Sequence, residues 1–159
     1  MLKKIIAGTL LSAITLFALP NNELELLILN KAVEKKVIVL SNMHLNGETK
    51  EKFSKVYDEY QAKLMKHRIT ELKLIRDYAM SFNDMNDDNA NKIIVEWVSV
   101  EENQMVLKKD YIAKFKKVMN SAQVIRYFQI ENRLQLMQEV QTTSLIPLAQ
   151  PVPIKIDMK

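Results

Sequence analysis

The sequence holds no cysteine, two glycines, two histidines and four prolines in 159 residues. Each shortage removes a class of protein. The glycines are Gly8 and Gly47. Tight hairpin turns and phosphate-cradling loops both use backbone conformations open mainly to glycine, so a Rossmann site, a P-loop and a hairpin-rich β fold are disfavoured. Without cysteine there is no disulfide, no Cys/His zinc site and no thiol nucleophile, and stability has to come from packing. There is no Gly-x-Ser-x-Gly elbow, and neither His44 nor His67 has a nucleophile beside it in sequence. Adjacent acids such as Asp87–Asp88 and Glu101–Glu102 point in different directions on a helix and read as solvated. The chain reads as a non-enzyme without an organic cofactor.

Charge of one sign is also scarce. The formal net charge is +4, but the first twenty residues contain Lys3, Lys4 and no acid, leaving 21 basic and 19 acidic residues in the remainder. The signs are interleaved, with no basic stripe alternating with aromatics, which argues against nucleic acid as a partner. What the chain does have is apolar content: 48% hydrophobic against 26% charged. That is enough for one domain with a buried core, and too much for global disorder.

Three regions follow from the pattern. Residues 1–20 have the order of a secretory signal: a basic start, an uncharged apolar run from Ile5 to Leu19, then Pro20-Asn21-Asn22 as a breaker. The run is short for a bilayer span, which needs about 20 apolar residues. Ala18 is the best small residue near a cleavage point, and an uncleaved anchor is the alternative. Export is the expected address. Residues 21–144 form a helical domain. Residues 145–159, with Pro147, Pro151 and Pro153, cannot continue a helix and should be extended or disordered.

Four helical segments are expected within the domain. The first, about Glu23 to Met43, carries Leu26, Leu27, Leu29, Ala32, Val33, Val37, Leu40 and Met43 near three-four spacing. Its β-branched run Val37-Ile38-Val39-Leu40 fits a strand in isolation, but the surrounding period favours helix. The second, about Glu48 to Phe82, has Phe53, Tyr57, Tyr60, Leu64, Leu72, Ile75, Ala79 and Phe82 on one face. Glu48–Lys52, Glu51–Lys55 and Glu59–Lys63 are placed for i,i+4 ion pairs. With no internal glycine or proline after its start, it predicts a rod of roughly 50 Å. The third, about Asp87 to Val118, aligns Ile94, Trp97, Val98, Met105, Ile112, Phe115 and Met119. Asp87 and Asp88 at its start and Lys114, Lys116 and Lys117 at its end complement the helix dipole. The fourth, about Ser121 to Thr143, uses Val124, Ile125, Phe128, Leu134 and Met137. Met65, Met80, Met105, Met119 and Met137 read as core filler. The fold class is therefore all-α: an elongated antiparallel helical hairpin or bundle of about four helices.

Three junctions share an apolar residue, an asparagine and then a helix start: Leu45-Asn46-Gly47-Glu48-Thr49, Met85-Asn86-Asp87-Asp88-Asn89 and Met119-Asn120-Ser121-Ala122-Gln123. Asparagine is a favoured N-cap because its side-chain oxygen accepts an orphan backbone N–H. In the third junction Gln123 is placed to close a capping box, and Met119 with Val124 to form a hydrophobic staple.

The arrangement resembles the Spy/CpxP group of periplasmic helical proteins, whose helix starts carry a Leu-Thr-x-x-Gln motif. The resemblance spans about Glu23 to Thr143. It rests on Leu45, Asn46 and Thr49 followed by Phe53, Val56, Tyr57 and Tyr60, and on Lys109-Asp110-Tyr111, Phe115 to Val118, Asn120, Gln123 and Gln129 to Arg133. Asn stands for Thr at both caps, Met119 for Leu in the second copy, and Thr49 for Gln in the first. The resemblance implies an exported, stress-linked homodimer that binds unfolded or partly folded proteins without ATP. A metal-responsive or signalling module that contacts a membrane sensor domain is the alternative, and a structural protein whose tail docks on a partner is a third.

On the second helix, Lys63, Met65, Lys66, Arg68, Ile69 and Lys73 are the candidate partner-binding residues. Flexible basic stems beside methionine suit weak, adaptable contacts, though the same residues fit a plainly solvated face. His67 and Glu71, at i,i+4, are the most workable metal-ligand spacing, but two distant histidines make a poor site.

Overall fold

The computed structural model describes residues 21–143, 146, 148 and 149. The expected signal segment and most of the expected tail lie outside the described residues. Helix α1 spans Asn21–Met43, α2 spans Gly47–Ser81, a single 3-10 turn spans Phe82–Asp84, α3 spans Asp87–Lys116 and α4 spans Ser121–Thr143. No strand occurs among the described residues, and Val37 to Leu40 are helical. The fold is an all-α bundle of four helices.

Length differences shape it. α2 has 35 residues and runs about 52 Å, whereas α1 and α4 have 23 each and run about 35 Å. The short α1–α2 and α3–α4 junctions lie at the same end of the molecule, where all four helices meet. Beyond the reach of α1 and α4, α2 and α3 continue as a two-helix arm.

The packed end holds the core. Val39, Met43, Leu45, Phe53, Tyr57, Tyr60, Leu107, Tyr111, Phe115, Met119, Val124, Tyr127 and Phe128 form one buried cluster. Seven of the chain's eleven aromatic residues meet there. Their ring centroids lie as close as 4.6 Å for Phe115–Tyr127, and Tyr60 meets Phe115 nearly edge-on at 6.1 Å. Such edge-to-face pairs add about 0.5–1.5 kcal/mol each beyond burial. Phe53, Tyr57, Tyr60, Tyr111 and Phe115 are in this cluster, with Val56 packed against it, whereas Lys109, Asp110 and Lys116 are exposed.

The junctions differ from one another. At Asn120 the box closes: the Gln123 N–H donates to Asn120 Oδ1 at 2.9 Å and the Asn120 N–H donates to Gln123 Oε1 at 3.1 Å. Met119 and Val124 are both buried beneath it, completing the staple. The Asn86 side chain accepts from the Asn89 N–H at 2.9 Å. Asn46 occupies the cap position, but its side chain makes no capping hydrogen bond. The reason is Gly47, whose φ of +54° turns the entry to α2 left-handed and swings the first-turn N–H groups away. The first backbone bond there, from the Lys50 N–H to the Asn46 carbonyl, is correspondingly long at 3.4 Å. Thr49 is half-buried in that first turn.

Several expected faces need correction. On α3, Ile94, Trp97, Val98 and Met105 are exposed, and the buried stripe is Val100, Leu107, Tyr111 and Phe115. On α1, Val33 and Val37 are exposed, while Val39 and Met43 face the core. On α4, Ile125 and Met137 are exposed, and Tyr127 and Glu131 are buried instead. Of the five methionines read as filler, Met119 is buried but Met80, Met105 and Met137 are exposed. On each helix only the seam against its neighbours is covered, and apolar residues off that seam stay exposed, on α1 and α4 as much as on α3. Among the three expected i,i+4 pairs, Glu48–Lys52 closes at 2.8 Å, whereas Glu59 reaches across to Lys114 on α3 at 3.3 Å.

Candidate functional site

The six candidate partner-binding residues of α2 divide between two sides of the helix. Lys63, Lys66 and Lys73 are exposed, and Met65 and Ile69 are half-buried. Arg68 is two residues from Lys66, which places it about 160° away around the helix. Its guanidinium lies at the groove between α2, α3 and α4, bonded through Nη1 to Glu71 Oε2 at 2.8 Å and through Nη2 to Gln138 Oε1 at 3.4 Å. The structure thus groups three lysines on a ridge and draws Arg68 off it. Lys63 also lies 5.4 Å from the Tyr111 ring centroid, and Lys114 covers the same ring at 4.3 Å.

His67 is half-buried, and Glu71, its i,i+4 neighbour, is ion-paired with Arg68. Among the described residues no three His, Asp or Glu side chains gather where one ion could be held. Nor is any described helix long and apolar enough to cross a membrane.

The groove that takes Arg68 has a volume of about 360 Å³. Tyr60, Leu64, Leu74 and Ile75 line it from α2, and Trp97, Val100, Met105 and Lys108 from α3. Gln135 and Glu139 close it from α4, and Ile146, just past that helix, forms part of the wall. Its floor is apolar and its rim carries both charges, which is the general form of a protein or peptide contact.

Outside the groove, α3 presents the apolar surface that was expected in the core. Ile94, Val98 and Met105 fall on one line, with Trp97 beside them; Trp97 is 52% exposed. Val95 and Val106 widen the strip on one flank. The Trp97 indole N–H donates to Glu101 Oε1 at 2.7 Å, which fixes the ring along the helix surface. Residues 87–102 carry five acids and one lysine, so the strip is set in an acidic surround. The exposed ridge of α2 is basic. α2 and α3 therefore offer opposite charge on their exposed faces, with uncovered apolar side chains on α3.

A second feature absent from the sequence reading lies at the packed end. Glu131 is 1% exposed, and its Oε1 accepts from Lys35 Nζ of α1 and from Gln61 Nε2 of α2, the latter at 3.1 Å. Glu131 Oε2 and the Tyr57 hydroxyl have no partner among the described residues. Burial, reinforced by the Glu131 charge, pushes the hydroxyls of Tyr57, Tyr60 and Tyr127 well above the usual tyrosine range. The cluster ties α1, α2 and α4 together. Its only trace in sequence is a glutamate at a core register of α4, between Phe128 and Leu134.

Comparison of the chain with protein-family models, with curated proteins and with solved structures finds no match in any of the three.

Proposed function

We propose that the chain is an exported, ATP-independent chaperone or envelope-stress adaptor that holds unfolded or partly folded protein against its two-helix arm. The observation that carries this reading is the uncovered strip Ile94, Trp97, Val98 and Met105 on α3. Contiguous apolar surface rimmed by charge marks interaction sites on soluble proteins, whereas isolated apolar residues do not. Tryptophan and methionine suit a weak, adaptable contact: the first supplies area, the second shape tolerance. The α2 ridge of Lys63, Lys66 and Lys73 would steer acidic segments, and the acidic surround of α3 basic ones. The resemblance to Spy/CpxP proteins supports the same reading and adds homodimerisation in the periplasm.

Suppression of aggregation tests it. A chemically denatured client is diluted into buffer with the chain at equal molarity, and light scattering is followed. The expected result is suppression by the wild-type chain and at least a fivefold weaker effect for Val98→Asp, with helicity unchanged. Absence of suppression by the wild-type chain removes the chaperone reading.

A further inference from the structure

The arm's apolar strip is matched by a segment of the same chain. Past Ala149 the sequence reads Gln-Pro-Val-Pro-Ile-Lys-Ile-Asp-Met-Lys, residues 150–159. Val152, Ile154, Ile156 and Met158 alternate with Pro151, Pro153, Lys155, Asp157 and Lys159. In an extended backbone that alternation puts all four apolar side chains on one face and the prolines and charges on the other. Prolines at two of the alternate positions hold such a backbone out of helix.

We propose that residues 150–159 dock in extended form along the α3 side of the arm, over Ile94, Trp97 and Val98. Three observations carry this. First, the chain enters the arm's groove as it leaves α4: Ile146 is half-buried and lines it together with Trp97 and Val100. Second, the dimensions agree. Val152 to Met158 spans about 20 Å at 3.3 Å per residue, and Ile94 to Met105 about 16 Å at 1.5 Å per residue. The extended repeat of about 6.6 Å per apolar side chain also matches the roughly 6 Å between helix positions four apart. Third, the charges complement: the long stems of Lys155 and Lys159 would fold back from the outer face of the segment toward Glu101 and Glu102, which flank the strip.

The tail then acts as an internal occupant of the strip. Because it is tethered, it competes at an effective concentration of the order of millimolar, which a client must displace. That consequence rests on the function proposed above; the docking itself does not.

The absence of cysteine makes the docking directly measurable. Asp157→Cys is combined with Val95→Cys on the arm or with Glu51→Cys at the packed end, all in the full chain, and treated with a short bis-maleimide at low protein concentration. The expected result is intramolecular cross-linking at least tenfold faster for the Val95 pair, abolished by adding Ile154→Asp and Ile156→Asp. A rate for the Val95 pair that Ile154→Asp and Ile156→Asp leave unchanged means an undocked tail held near only by its tether, and overturns the proposal. Covalent dimers as the main product mean that the tail seats on a second copy, and overturn it too. Trp97, the chain's single tryptophan, gives an independent readout: its emission should shift to longer wavelength in the Ile154→Asp, Ile156→Asp chain, and an unchanged spectrum counts against docking. None of these readings involves a client, so failure of the tail to dock is separable from failure to act as a chaperone.

Discussion

The two ends of the molecule use similar amino acids for opposite purposes. At the packed end, four helices converge, and Tyr111 and Phe115 of α3 are almost wholly covered. Twelve or more residues toward the start of the same helix, Trp97 and Val98 stay half-exposed, Trp97 at the edge of the groove that Gln135 and Glu139 of α4 close. Helical periodicity is the same in both places. What differs is which side of α3 the neighbouring helices cover. An apolar stripe is therefore core or contact surface according to where the neighbouring helices pack.

Alkaline pH should separate the two ends most strongly. Tyr57, Tyr60 and Tyr127 all lie at the packed end and are held protonated above the usual range by burial and by Glu131. Their contribution is complete below the unfolded tyrosine value near pH 10, where neither state is ionised. As pH rises past that value, the unfolded chain loses protons first and stability falls. Three such groups imply a loss of about 4 kcal/mol per pH unit. Urea unfolding at pH 8, 10 and 11 measures it; a flat profile through pH 11 would mean that the aromatic cluster is solvated.

Truncation sharpens the contrast. Phe115→Ala should cost about 3–5 kcal/mol, because it opens a cavity among six other rings. Trp97→Ala should change stability by no more than about 0.5–1 kcal/mol while weakening client binding. Equal destabilisation in thermal unfolding would show that the strip on α3 is covered by something structural. The buried pair gives the next effect. Lys35→Met leaves the Glu131 carboxylate with Gln61 alone and should cost about 3 kcal/mol, whereas Lys35→Met with Glu131→Leu should recover most of it. A double-mutant cycle reads the difference, and additive losses would show that the pair does not act as a unit. The smallest contrast is at the caps. Asn120→Ala should cost about 1 kcal/mol through loss of the closed box, and Asn46→Ala only a few tenths, since its side chain bonds nothing in the first turn.

Helix existence and limits were legible because asparagine caps, breakers and three-four spacing act locally. α3 was expected from Asp87 and starts there, and α4 matches at both ends. Facing was less legible. α3 carries two apolar stripes, one through Ile94, Trp97, Val98 and Met105 and one through Val100, Leu107, Tyr111 and Phe115. Period alone cannot say which meets a neighbour, since that depends on which side of α3 the helices α2 and α4 pack. The Asn46 side chain was expected to cap α2 and does not, because residue type alone does not reveal the left-handed backbone of Gly47 after it. The Lys35–Glu131 pair went unread because its members lie 96 residues apart, and the core register of Glu131 on α4 does not by itself name a partner. Of the candidate site, the lysine ridge could be read from sequence; the turn of Arg68 into the groove could not, because it depends on Gln138 of α4.

One measurement bears on the central claim more directly than the rest: Trp97 emission during titration of the Ile154→Asp, Ile156→Asp chain, whose strip is free of the tail, with a soluble, permanently unfolded polypeptide, such as a reduced and alkylated client. The account predicts a saturable shift to shorter wavelength as the strip on α3 is covered, lost in Val98→Asp. An emission spectrum unmoved by client, with binding detected at the packed end or not at all, would contradict it.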